Sequence, residues 1–334
     1  MDYRLHLDDQ PRVDAVSTGH LPEAAMVRSL VEQAHGRYAR VSDGHVADYI
    51  PALAQARPDW FGICVAGVDG GIFSVGEADR PFSIQSMSKP FVFALVCQAL
   101  GGGQAREKIG VNGTGLPFNS IMAIELNDGR PMNPMVNAGA IATTSLAPGA
   151  NAEERWEFIR GGLSRFAGRE LELDAEVYAS EAATNQRNQG IARLLLGYGR
   201  MYSDPDEATD IYTKQCALNV TAKDMAIMGA TLADGGVNPV TRERVMDADR
   251  CARVLAVMAT AGLYEQSGDW LYEVGLPGKS GVAGGIVTIA PGKGGLGTFS
   301  PPLDAAGNSV RGQLVTKFLS EQLGLNLFAS KPAH

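Results

Sequence analysis

Apolar positions recur along the chain in two rhythms that alternate in blocks. In residues 20–39, "HLPEAAMVRSLVEQAHGRYA", Leu21, Ala24, Ala25, Leu30, Val31 and Ala34 form one stripe at helical spacing, and Pro22 falls in the expected first turn, where a missing N–H costs little. Residues 61–76, "FGICVAGVDGGIFSVG", change to short apolar runs on either side of Asp69-Gly70-Gly71, a hairpin pattern. The next stretch, "FSIQSMSKPFVFALVCQALGGG" at 82–103, predicts a buried helix closed by a left-handed glycine cap and a loop. From about 104 to 265 the spacing is mostly helical, as in "ERWEFIRGGLSRFAG", "NQGIARLLLGYG", "TAKDMAIMGATLADGG" and "DRCARVLAVMATAG". Strand patterns return in "GGIVTIAPGKGGLGTFSPPLD", a second hairpin around Gly292 to Gly295, and "NSVRGQLVTKFLSEQLG" reads as a final amphipathic helix.

Strands at both ends with helices between predict an α/β chain of the α+β type: one antiparallel sheet assembled from the two termini, and a helical insertion. The expected division is a sheet-bearing lobe of residues 1–85 and 265–334 and a mainly helical lobe of residues 86–264. A site between them is expected.

The start of the 82–103 helix carries the first chemical signal. Ser86 and Lys89 are three residues apart, so in a helix they share a face about 4.5 Å apart along the axis. Pro90 biases Lys89 away from helical angles and predicts a helix that begins at or next to Ser86. There, free N–H groups and the positive end of the helix dipole favour an anion. A serine needs a base, and a lysine serves only when burial or a second cation makes it neutral; Phe91, Phe93 and Leu95 promise the dry setting. Taken alone, S-x-x-K is a weak signal, and the four letters fit a serine cap followed by a surface lysine better than a reaction centre.

Composition narrows the choice. A chain of 334 residues, 45% of them hydrophobic, buries a large core and is long enough for two lobes. Its net charge of -8, with both signs interspersed, argues against nucleic acid. No apolar stretch approaches the roughly 20 residues of a bilayer span, and "MDYRLHLDDQ" lacks the layout of a secretory signal, so a soluble, cytoplasmic protein without a membrane partner is expected. Cys64, Cys97, Cys216 and Cys251 are too scattered for a disulfide framework, and neither CxxC nor HExxH spacing occurs, so no metal or other cofactor is expected. His6, His20, His35 and His45 crowd the first 45 residues and only His334 follows, which leaves a Ser-His-Asp triad little to draw on.

A second motif stands far downstream. "LPGKSGVAGGI" sets Lys279-Ser280-Gly281 before an apolar strand; a phosphate-binding loop would need glycine where Glu273 stands. The alternative is the K-[ST]-G strand that accompanies S-x-x-K in acyl-serine enzymes, with Lys279 as supporting cation.

From Val46 onward, "VADYIPALA", "SIQSMSKPF", "GLPFNS", "GRPMNPMVNAGAI", "SEAATNQRNQGIA", "YTKQCAL", "ATAGLYEQSGDW", "GKSGVAGGI" and "SPPLDAAGNSVRG" follow in order. Over roughly residues 20–325 this series resembles the serine-dependent glutaminases, which have the β-lactamase/DD-peptidase-like fold. The resemblance implies hydrolysis of L-glutamine to L-glutamate and ammonia through a glutamyl-serine ester. It implies Ser86 as nucleophile, Lys89 as its partner and Tyr264 close to the serine, either of the last two being the base. It implies a pocket lined by Tyr49, Asn137, Glu181, Asn188, Tyr212, Tyr264 and Val282, an oxyanion hole from the N–H groups of Ser86 and Val282, and a homodimer or homotetramer. Residue chemistry agrees: Glu181 suits the substrate ammonium, asparagine and tyrosine donors suit its carboxylate, and an amide at Asn137 within "VNAGAIA" must find partners. Ala217, Ala283 and Thr114-Gly115 depart from the family pattern without touching an implied catalytic residue. The competing readings are another acyl-serine amidohydrolase, such as a β-lactamase or DD-peptidase, and a non-catalytic amino-acid-binding protein.

Overall fold

The computed structural model describes residues 19–330, so "MDYRLHLDDQ", His6 and His334 lie outside the described residues. The first apolar stripe forms a helix at Ala24–Tyr38 that buries Val27, Leu30, Val31 and Ala34. Ala24 and Ala25 are exposed and Pro22 precedes the helix: the stripe is set by the larger Val27, which gains more from burial than a methyl.

The expected hairpin joins β1 (Gly62–Gly67) to β2 (Ile72–Gly76), with Gly70 at φ 95° in the turn. β3 (Phe82–Ser83) pairs with β4 (Asn219–Val220), and β5 (Gly278–Gly281), β6 (Gly285–Ala290) and β7 (Gly294–Phe299) follow near the C-terminus. The main sheet runs β2-β1-β7-β6-β5, antiparallel throughout, so both chain ends build it, as the alternating patterns predict.

One face of this sheet lies under the Ala24–Tyr38 and Val310–Gln322 helices, around Ile63, Val65, Ile286, Leu296 and Leu319. The Ala222–Ala233 helix covers the other face at unusually short range. Gly295 and Gly297 allow it: a Cβ there would stand 2.2 Å from the Ala226 carbonyl and 2.0 Å from that of Ala222. Between β3 and β5 the chain is helical, centred on the buried Ser88–Leu100 helix, which packs against Asn137–Ser145, Ala152–Ala167 and Ala248–Ala261.

Two local expectations change. Gly101 takes φ 87°, but the next helix, Gly102–Ile109, begins at once, so no loop follows the cap. Lys89 is helical despite Pro90. The proline is the third residue of the helix, where its N–H would have no intrahelical acceptor in any case.

Candidate active site

The segment entering the serine turn is fixed first. β3 pairs with β4, and the Ile84 N–H donates to the Leu218 carbonyl at 2.8 Å. A single 3-10 turn, Gln85–Met87, then presents Ser86 before the α-helix starts at Ser88. Ser86 is buried, with the Tyr264 hydroxyl beside it. Tyr264, itself at φ 57°, donates at 3.3 Å to the carbonyl of Ser280 on β5. The same carbonyl accepts from Lys279 Nζ at 2.9 Å, and that amine lies 4.0 Å from the centre of the Tyr264 ring. The two motifs that stand almost two hundred positions apart thus meet through one tyrosine.

Lys89 points into the helical side. Its Nζ donates to Asn137 Oδ1 at 2.7 Å, which also accepts from the Tyr212 hydroxyl at 3.3 Å, while Asn137 Nδ2 donates to Asn188 Oδ1 at 3.0 Å. This satisfies the amide among "VNAGAIA". Glu181, near the end of the Ala175–Ala182 helix, accepts from Gln85 Nε2 at 3.4 Å. Val282 follows β5 directly and is buried, and Tyr49 stands exposed at the rim, within electrostatic range of Tyr264 and Glu181.

Burial dominates the proton affinities. It pulls the Lys89 amine down to about 8, against weaker opposing effects of Cys216 and Glu181. Lys279 is held well below the ordinary lysine range by burial first and by the charge of Lys89 second. Glu181 is pushed up to about 7 by burial, offset in part by Gln85 and Lys89, and Tyr264 is raised to about 12, again by burial. Burial thus weakens the charged form of both amines and of the Glu181 carboxylate, the three buried ionisable groups gathered around the serine turn.

Several contributors escaped the sequence reading. Phe118, within "GLPFNS", packs 4.8 Å from the Tyr264 ring and 5.9 Å from Lys89 Nζ, centroid distances that make it a wall between the two. Its carbonyl accepts from the Asn137 N–H at 2.8 Å. Gln85, Ser88, Thr144, Gln215 and Cys216 are also buried around the serine turn. Ordinary polar letters inside helical patterns carried no signal for them. Among the described residues no group of three His, Cys, Asp or Glu side chains could hold a metal ion, and no helix is long and apolar enough to cross a membrane.

A serine on a turn between a lysine-bearing helix and a K-S-G edge strand, with an antiparallel sheet behind it, defines a serine acyl-transfer enzyme of the β-lactamase-like fold. The family model described as glutaminase matches residues 44–328, and the chain belongs to that family. It is 62% identical to a protein named Glutaminase 2 from Yersinia pestis, over 96% of this chain and 94% of the relative. Among solved structures it resembles a probable glutaminase, YbaS, with a TM-score of 0.91 and 45% identity over 92% of this chain and all (100%) of that one. It also resembles Mglu in its L-glutamate binding form, with a TM-score of 0.85 and 41% identity over 93% of this chain and 69% of that one.

Proposed function

We propose that this protein hydrolyses L-glutamine to L-glutamate and ammonia through a glutamyl ester on Ser86. The observation that carries the reading is the buried Ser86 beside Tyr264, whose hydroxyl shares the Ser280 carbonyl with Lys279, with Lys89 buried on the same turn. Family membership supports the substrate, as does the similarity to Mglu in its L-glutamate binding form.

Glu181 receives the substrate ammonium; the donors of Asn137, Asn188 and Tyr212 receive its carboxylate, with Tyr49 closing the exposed side. The glutamyl amide then reaches Ser86. Attack by Ser86 Oγ forms a C–O bond, and the serine proton passes to Lys89. Tyr264 enters as a neutral phenol, because its affinity for the proton is far too high for a phenolate at neutral pH. It keeps its proton and steadies the serine oxygen, while Lys89 hands the serine proton to the leaving nitrogen as the C–N bond breaks and ammonia departs. Lys279, with little tendency to hold a charge, orients Tyr264 through the ring contact and the shared Ser280 carbonyl. Backbone N–H groups of Ser86 and Val282 face the tetrahedral oxygen, each worth about 3 kcal/mol, as for a typical donor of this kind. Water then cleaves the ester along the reverse proton path.

On this reading the reaction runs between a sheet-bearing lobe, residues 1–85 and 265–334, and a mainly helical lobe, residues 86–264. Exposed Met122, Leu126, Leu196 and Tyr198 support a homodimer or homotetramer, and four free, buried cysteines suit a reducing cytoplasm.

Ser86→Ala tests the centre of this reading. Ammonia release from glutamine should disappear while calorimetric binding of glutamine persists. Turnover retained by this variant would move the nucleophile elsewhere. Mass spectrometry after treatment with a reactive glutamine analogue should place the added mass on the peptide that contains Ser86.

A further inference from the structure

The residue before the nucleophile, like Tyr264, has an unfavourable backbone conformation. Gln85 is not a glycine, yet its φ is 51°, in the left-handed region that side chains rarely adopt. Such a conformation persists only where its surroundings hold it. Its amide nitrogen is tied to Ser83 Oγ at 3.2 Å and to Glu181 Oε2 at 3.4 Å. Its carbonyl oxygen accepts from the Ser88 hydroxyl at 2.8 Å and from the Ser88 backbone N–H as well. Behind Ser88 runs a chain of side-chain bonds: Gln215 Nε2 donates to Ser88 Oγ at 3.3 Å, and Thr144 Oγ1 donates to Gln215 Oε1 at 2.9 Å. Ser88, Gln215 and Thr144 are all 0% exposed.

We propose that Ser88 and Gln215 are positioning residues that aim and polarise the backbone N–H of Ser86 at the oxygen that becomes negative during attack. The inference rests on the reading of Ser86 as nucleophile and part of the oxyanion hole. The carbonyl of Gln85 and the N–H of Ser86 belong to one rigid peptide plane, so whatever holds the oxygen also fixes the direction of the N–H. A hydrogen bond accepted by the carbonyl also draws electron density from the amide and strengthens the N–H as a donor. The Ser88 hydroxyl can do this because its own lone pair is filled by Gln215, whose oxygen is in turn filled by Thr144. At 2.8 Å the Gln85 carbonyl is the close acceptor for the hydroxyl proton, with the Cys216 sulfur as its other neighbour.

This arrangement separates two kinetic constants. The tetrahedral oxygen carries its charge only in the transition state, so a donor aimed at it affects kcat, whereas the Glu181, Asn137, Asn188 and Tyr212 side chains bind glutamine before attack. A network that merely stiffened the helices would instead lower the melting temperature and leave kcat tied to the folded fraction.

The experiment measures kcat, KM for glutamine and melting temperature for full-length Ser88→Ala, Ser88→Thr and Gln215→Met, with Ser86→Ala alongside. Ser88→Ala is expected to lose about tenfold to a hundredfold in kcat with KM changed by less than about threefold, the scale on which a misdirected reacting group is costly. Ser88→Thr, which keeps the hydroxyl, should recover most of that loss. Gln215→Met should lose less than Ser88→Ala, in kcat again. Wild-type kcat in Ser88→Ala, beside an inactive Ser86→Ala, would overturn the relay and leave the serine reading intact. A loss in Ser88→Ala that follows the melting temperature and is not recovered by threonine would also overturn it. Turnover in Ser86→Ala would overturn the serine reading itself.

Discussion

The outer layer of the main sheet and the serine turn at its β5 edge are built on opposite principles. Under the Ala24–Tyr38 and Val310–Gln322 helices the layer is mostly apolar, and the polar Arg311, Thr316 and Ser320 buried with it are each hydrogen-bonded. Around the serine turn the chain buries lysines, a glutamate, glutamines and asparagines, and it sets Gln85 and Tyr264 in the left-handed region. The first region gains stability from burial. The second gives stability up for chemistry, because amines and carboxylates removed from water lose the hydration that favours their charged forms. Substitutions in the two regions should therefore move activity and stability in opposite ways.

Lys89→Met should separate them most widely. Losing the base is expected to lower kcat by about 10²–10⁴-fold, measured as ammonia release. Stability should not follow. Burial lowers Lys89 from 10.5 to about 8, so below pH 8 the charged amine opposes folding in full, a cost that fades as pH rises toward 10.5. The size of the shift corresponds to a few kcal/mol, on the order of 3, though the hydrogen bond to Asn137 is lost in exchange. The methionine variant should melt at or above the wild-type temperature at pH 7, and its advantage should shrink above pH 9. A variant that is both inactive and unstable would erase the distinction between the two regions.

Leu319→Ala in the outer layer should do the reverse. Leu319 is 0% exposed, and truncating such a side chain destabilises by about 2–5 kcal/mol. Denaturant unfolding should register that loss, while kcat and KM at 25 °C stay at wild-type values.

These two regions were not equally legible. The outer layer follows from periodicity: the hairpins at Asp69-Gly70-Gly71 and around Gly292, and the two terminal helices, stand where apolar spacing puts them. Even its error is instructive, since Val27 displaced Ala24 and Ala25 by having more surface to bury. The site was legible only through its motifs. Ser86, Lys89 and Lys279 carry recognisable spacing, but nothing local announces that Gln85 takes a positive φ, that Ser88 meets Gln215 from 127 positions away, or that Phe118 stands against Tyr264. Those features depend on tertiary contacts. They also contradict local preference, which is all that a pattern of apolar and polar letters encodes.

Glu181→Gln sharpens the comparison through pH. The buried carboxyl holds its proton up to about 7, so its ability to receive an ammonium is present above that value and declines as pH falls through it. Wild-type kcat/KM for glutamine should therefore fall on the acid side with an apparent pKa near 7. The glutamine variant should lose the Glu181 step of that limb, keep the step near 8 set by Lys89, and show a KM raised about tenfold to a hundredfold, the worth of a charge-assisted hydrogen bond. An unchanged acid limb would assign it to another group.

The smallest expected effect comes from the Ala222–Ala233 helix, which covers the site-facing side of the sheet yet keeps the local rules of the outer layer. Thr221 Oγ1 accepts from the Asp224 N–H at 3.0 Å, and Asp224 Oδ2 accepts from the Thr221 N–H at 2.8 Å, a reciprocal cap. Arg169 adds bonds of 2.9 and 2.6 Å to the two oxygens of Asp224. Thr221→Ala removes the two bonds of its hydroxyl to Asp224 while Asp224 keeps its arginine, so the cost should be about 1 kcal/mol, and Thr221→Ser should restore it. Neither substitution should alter kcat or KM, because the backbone pairing of β4 with β3 that leads into the serine turn is untouched and Arg169 still holds Asp224. A change in kcat at constant stability would mean that the helix passes strain through β7 and β6 to the edge strand that carries Lys279, and the rigid sheet would then belong to the catalytic machinery.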